Sequence, residues 1–72
     1  MNRSKPFRGL LFAKELPTPG FPFDCNCEEG NIITSQVMSI SLISTHGRME
    51  YLVETKNSLY VLILTELGLP WI

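Results

Sequence analysis

The sequence predicts a mainly β fold: a small antiparallel meander closing into an SH3-like partial barrel, with an irregular, proline-rich N-terminal half. Three observations predict it. β-Branched residues are dense from 32 to 66, where proline is absent; turn residues recur there at regular intervals; and four of the five prolines precede residue 31. The chain is expected to be one domain over residues 1–72, with an irregular arm and loop (1–30), a three-stranded meander (31–66) and a short C-terminal tail (67–72).

In residues 1–30, Pro17, Pro19, Gly20 and Pro22 fall within six positions of one another. Regular helix cannot persist there, because proline lacks an amide donor and biases its predecessor toward extended geometry. Phe7 to Leu16 fits a helical face poorly, with Gly9 inside it, and alternates weakly as a short strand or extended arm.

The meander is more legible. "SQVMSISLIST" alternates Met38, Ile40 and Leu42 against Ser39 and Ser41, and "RMEYLVET" alternates Met49, Tyr51 and Val53 against Glu50 and Glu54. His46-Gly47 and Lys56-Asn57 supply the turns, with Gly and Asn the residues that best tolerate positive φ. Taking each pair as a two-residue turn places Val53 opposite Tyr60, Tyr51 opposite Leu62, Met49 opposite Leu64, Leu42 opposite Tyr51 and Ile40 opposite Val53. Both turns put Met38, Ile40, Leu42, Met49, Tyr51, Val53, Tyr60, Leu62 and Leu64 on one face; a one-residue slip would scatter them. The other face holds Val37, Ser39, Ser41, Ile43, Glu50, Leu52, Glu54, Leu59, Val61 and Ile63. The third strand, Leu59 to Leu64, is therefore apolar on both sides and must be covered on both, by the phenylalanine-rich N-terminal half or by a second chain.

A chain of 72 residues buries only roughly 60% of its unfolded surface, so its core is marginal without help. Self-association through Leu59, Val61 and Ile63, with Trp71 as an aromatic anchor, is the help expected here. Hydrophobic content of 44% with 18% charged residues is globular, and a net charge of −1 gives no global field for nucleic acid or an anionic membrane. The longest apolar run is far below the roughly 20 residues of a membrane span. Gly9 to Ala13 is too short for a signal-peptide core, and Cys25 and Cys27 are too few and too close for a secreted disulfide framework. A cytoplasmic protein is expected.

No catalytic constellation stands out. "DCNCEEG", residues 24–30, offers two thiolates and flanking carboxylates, with His46 as a further metal ligand, but zinc sites space their cysteines by two to four residues and no second pair exists. The cysteines read as small buried hydrophobes, and no metal or other cofactor is expected. His46 lacks a nucleophile at a recognisable spacing, and the serines lack a nucleophile elbow.

A non-enzymatic binding protein follows. Arg8, Lys14 and Arg48 can offer charge, while Asn57, Ser58 and the Tyr60 hydroxyl can offer directional hydrogen bonds to an anionic ligand. Turn chemistry alone accounts for Lys56 and Asn57. The pattern "TSQV…ETKNSLY" within Thr34 to Leu64 nevertheless resembles small β-proteins of bacteriophages and mobile elements, some of them anti-defence factors. The resemblance implies a protein that sequesters a nucleotide signal or blocks a host protein, with Thr55, Asn57, Ser58 and Tyr60 at its site. The alternative is a small nucleic-acid-binding β-barrel that uses the basic arm and its aromatic residues.

Overall fold

The computed structural model describes residues 5–44 and 48–70. Six strands form one sheet: β1 (Phe7–Ala13), β2 (Asp24–Cys27), β3 (Gly30–Ile33), β4 (Val37–Ser44), β5 (Glu50–Thr55) and β6 (Leu59–Leu64). Their order is β3-β2-β1-β6-β5-β4. Every neighbouring pair is antiparallel except β1 and β6, which run parallel.

The meander has the expected register. Val53 pairs with Tyr60 and Tyr51 with Leu62; across the other seam Leu42 pairs with Tyr51 and Ile40 with Val53. The amide of Leu64 donates to Met49 O at 3.3 Å, extending the alignment. The His46-Gly47 turn lies outside the described residues.

The N-terminal half departs from expectation. The irregular arm and loop contain β1, β2 and the first residue of β3, and β1 pairs with the free edge of β6. Leu10 pairs with Val61, Leu11 with Leu62 and Phe12 with Ile63, after an irregularity between Phe7 and Gly9 that leaves Arg8 as the extra residue. Gly9, at φ 137°, occupies backbone space closed to most side chains. The bulge shifts the alternation midway along β1 and blurs its periodicity. Asp24–Cys27 is a strand paired with Gly30–Ile33 around a Glu28-Glu29 turn.

The sheet does not close into a barrel: β3 and β4 are its two edges. It curls, however, because residues 34–36 alone join those edges, a link that spans at most about 14 Å between Ile33 and Val37. The proline-rich loop fills the gap. Thr34 N donates to Phe23 O (2.9 Å), Val37 N donates to Phe21 O (2.9 Å), and Gly20 N donates to Val37 O (2.8 Å). Pro17 is buried in the same loop.

The concave side of the curl carries the core. Leu11, Val37, Val53 and Leu62 are essentially fully buried, with Ala13, Cys25 and Tyr60 beside them and Phe23, Ile32, Ile40, Tyr51 and Leu64 packed around. Burying each large aliphatic contributes about 1.5–3 kcal/mol. Met38 was expected on this side and is instead 52% exposed, while Val37, expected on the other, is fully buried. The cause is a register shift between Val37 and Ser39, which reverses which residue points inward. Leu42 and Met49 share the predicted face yet remain exposed, since nothing described covers that end of the hairpin.

The tail folds over the end of β1. Thr65 N donates to Ala13 O (3.0 Å) and Asn26 Nδ2 donates to Gly68 O (2.6 Å). A Cβ on Gly68 would stand 3.1 Å from Lys14 Cγ and 3.2 Å from Lys14 N, and at φ +70° the backbone there favours glycine.

Candidate functional site

The Lys56-Asn57 hairpin tip is built from the sequence Thr-Lys-Asn-Ser. Thr55 N donates to Ser58 O (2.8 Å), Thr55 Oγ1 donates to the same carbonyl (3.0 Å), and Ser58 N donates to Thr55 Oγ1 (3.1 Å). Both residues are buried. The tip is also tied to the link between the sheet edges: Lys56 N donates to Gln36 O (2.8 Å), and Asn57 N lies 3.4 Å from Ser35 Oγ. Thr55 and Ser58, expected at a ligand site, lie buried within the turn. Thr55's hydroxyl closes the turn, and both side chains are out of reach of a solvent-borne ligand; only Lys56 and Asn57 remain exposed there.

A residue the sequence reading passed over belongs to this neighbourhood. Lys5 Nζ donates to Thr55 O (2.8 Å) and pairs with Glu54 Oε2 (2.7 Å). The hydrogen bond from Lys5, then its charge, holds the Glu54 carboxyl below the usual glutamate range, with Ser39 Oγ adding a weaker donation at 3.3 Å. The signal was present only as a cation in an arm with no visible partner.

The three cations proposed to collect an anion are not brought together. Arg8 lines a cleft of about 360 Å³ with Cys27, Glu28, Glu29 and Tyr60, beside the start of β1. Lys14 lines a second cleft of about 310 Å³ with Glu15, Asp24 and Asn26, beyond the other end of β1. Arg48 is exposed next to the β4–β5 turn. Arg8 and Lys14 each share their cleft with two carboxylates, which works against a phosphate. Tyr60 is 8% exposed and stands in the core, at the wall of the first cleft.

Cys25 and Cys27 face the core side of β2, opposite Ile32 and Gly30. Burial pushes the Cys25 thiol up to about 12, with the charges of Asp24 and Cys27 adding to the rise; a thiol so shifted is a poor nucleophile or metal ligand. Cys27 Sγ donates to Glu29 Oε1 at 3.3 Å. Among the described residues, no three His, Cys, Asp or Glu side chains gather as a metal site; His46 lies outside them.

The convex side of the sheet exposes apolar side chains from three neighbouring strands. Paired residues share a face, so Phe7 stands with Leu59, Leu10 with Val61, and Leu52 with Val61 across the next seam. Phe7 and Leu10 are 58% and 42% exposed, and Leu52, Leu59 and Val61 are half-buried. Ile63, expected at an interface with these, is 3% exposed beside its partner Phe12. It packs inside the chain, where Phe12, Leu67 and Gly68 wall one cleft. Trp71 lies outside the described residues. The face thus keeps Leu59 and Val61, loses Ile63, and gains Phe7 and Leu10, which only the parallel pairing of β1 could reveal. Among the described residues no helix is long and apolar enough to cross a membrane. Comparison with family models, curated proteins and solved structures finds nothing that matches this chain.

Proposed function

We propose that this chain is a non-enzymatic binding protein that works by occupying the surface of a partner protein, in the manner of the anti-defence factors that residues 34–64 resemble. The observation that carries the reading is the contiguous apolar convex face of Phe7, Leu10, Leu52, Leu59 and Val61. Contiguous apolar patches exposed on soluble proteins mark interaction surfaces. Its margin on β5 carries Glu50, while Glu54 on the same face is already paired with Lys5, so the apolar centre rather than rim charge would recognise the host protein. Occupancy rather than turnover also fits the hydroxyl of Thr55, bound within its turn, and the thiol of Cys25, held neutral. A nucleotide ligand finds less support, since Arg8 and Lys14 stand in separate, acid-lined clefts.

The test pairs a face variant with ligand titrations. Leu10→Asp replaces a side chain that is already partly exposed, so the fold survives while binding to the host protein retained by the wild type is lost. Heat of binding with cyclic dinucleotides, cyclic ADP-ribose derivatives or single-stranded RNA that persists in Leu10→Asp would overturn the protein-partner reading.

A further inference from the structure

The edge strand β4 has unused backbone groups whose direction can be worked out. Thr55 and Ser58 form a hydrogen-bonded pair at the hairpin tip. Antiparallel strands alternate such pairs with non-hydrogen-bonded ones, so Val53 and Tyr51 also aim their N–H and C=O at β6, whereas Glu54 and Leu52 aim theirs at β4. Their partners Ser39 and Ser41 aim back. Ile40 and Leu42 therefore point N–H and C=O away from the sheet, and no described residue pairs with them. Val37 also points outward, but the loop at Gly20 and Phe21 takes both of its groups.

Natural edges are usually guarded by charge, proline or shortness. The other edge, β3, is four residues long. β4 has eight residues, Val-Met-Ser-Ile-Ser-Leu-Ile-Ser, with no charge and no proline. Met38, Leu42 and Ile43 on it are each more than half exposed. Irregularities at 37/39 and 42/44 confine the regular stretch to Ser39–Leu42.

We infer that β4 is a self-pairing edge: two copies join antiparallel about a two-fold axis at Ser41, extending the sheet across both chains. The occupant is a second copy for two reasons. An uncharged strand meets itself without like-charge repulsion. One register also satisfies everything left open: Ile40 of one copy opposes Leu42 of the other, twice by symmetry, so all the outward groups of the regular stretch are exchanged. The same register places Ile40 beside Leu42 across the seam and covers a side chain that no described residue covers. The loop at Gly20-Phe21 already takes the outward groups of Val37, so the pairing runs from Met38 of one copy to Ser44 of the other and no further. This surface is separate from the convex face and does not rest on the function proposed for it.

The geometry gives a direct test. Opposed residues at a non-hydrogen-bonded antiparallel position have Cα atoms about 4.5 Å apart, within the disulfide range of about 4.4–6.8 Å. In a Cys27→Ser background, Ser41→Cys should oxidise to a disulfide-linked dimer. Ser39→Cys should not, because its two copies stand roughly 13 Å apart along the strands at about 3.3 Å per residue. Solution scattering of the wild type at tens of micromolar should give twice 8.2 kDa. Leu42→Pro should give the monomer mass with an unchanged β spectrum, because proline removes an N–H that the chain's own ladder does not use. A monomeric wild type, or equal crosslinking at 39 and 41, overturns the inference. Should Leu42→Pro fail to fold, the cysteine pair still decides it. Leu10→Asp should leave the dimer intact, so failure of the convex-face reading is told apart from failure of this one.

Discussion

Strands β4, β5 and β6 pair with their neighbours in sequence across short links, whereas β1 is paired with β6 from the opposite half of the chain, and the β2–β3 hairpin hangs on β1. The meander fixes its own register through turn chemistry and alternation. The N-terminal half takes its register from the meander, chiefly through Leu11 against Leu62 and the bonds of Gly20 and Phe21 to Val37. Similar strand propensity thus yields one half that is self-specifying and one that depends on docking.

The sharpest way to break this comparison is Leu11→Ala. Leu11 is 1% exposed at the junction of the halves, and such truncations cost about 2–5 kcal/mol, a large share of a small domain's stability. Hydrogen exchange should then show amides of β1–β3 losing protection ahead of those of β5 and β6; simultaneous loss everywhere would mean one indivisible unit. Gly9→Ala acts on the same strand more gently. At φ 137° with open space around the added Cβ, it should cost about 1–3 kcal/mol from backbone strain alone, read as a lower midpoint in urea; an unchanged midpoint would mean that the bulge relaxes. The smallest effect concerns Lys5 and Glu54, the tie between arm and meander. The folded carboxyl is held below its ordinary 4.5, so its contribution is present above that value and is lost as pH falls through the folded pKa. The melting temperatures of wild type and Lys5→Met should differ slightly at neutral pH and converge in acid.

What could be read in advance follows the same division. The meander was legible because Lys56-Asn57 and the alternation of Tyr51, Val53, Tyr60 and Leu62 are local signals that agree. β1 was not, because the extra residue at Arg8 breaks its alternation and its partner is remote. The Cys25-Asn26-Cys27 alternation was visible but resembled a ligand motif, when it marks a strand with its thiols turned to the core. Met38 and Val37 exchanged roles because an extra residue between Val37 and Ser39 reverses the alternation there, which local periodicity does not show. At the candidate site, Leu59 and Val61 were legible as surplus apolar surface. Phe7 and Leu10 were not, and the hydroxyls of Thr55 and Ser58 appeared available only because burial of the turn cannot be read from a hairpin motif.

The parallel pairing of β1 with β6 has a kinetic consequence. A strand whose ladder partner lies so far along the chain gains nothing until the intervening segments are in place, and contacts of that separation slow the search for the native state. Hairpins close within microseconds, so β5 and β6 assemble first and present β6 as the template on which β1 condenses, carrying β2 and β3 with it. During synthesis β1 therefore waits, with Leu11, Phe12 and Ala13 unprotected, until Leu59–Leu64 has been made. That interval is when this chain is most exposed to aggregation.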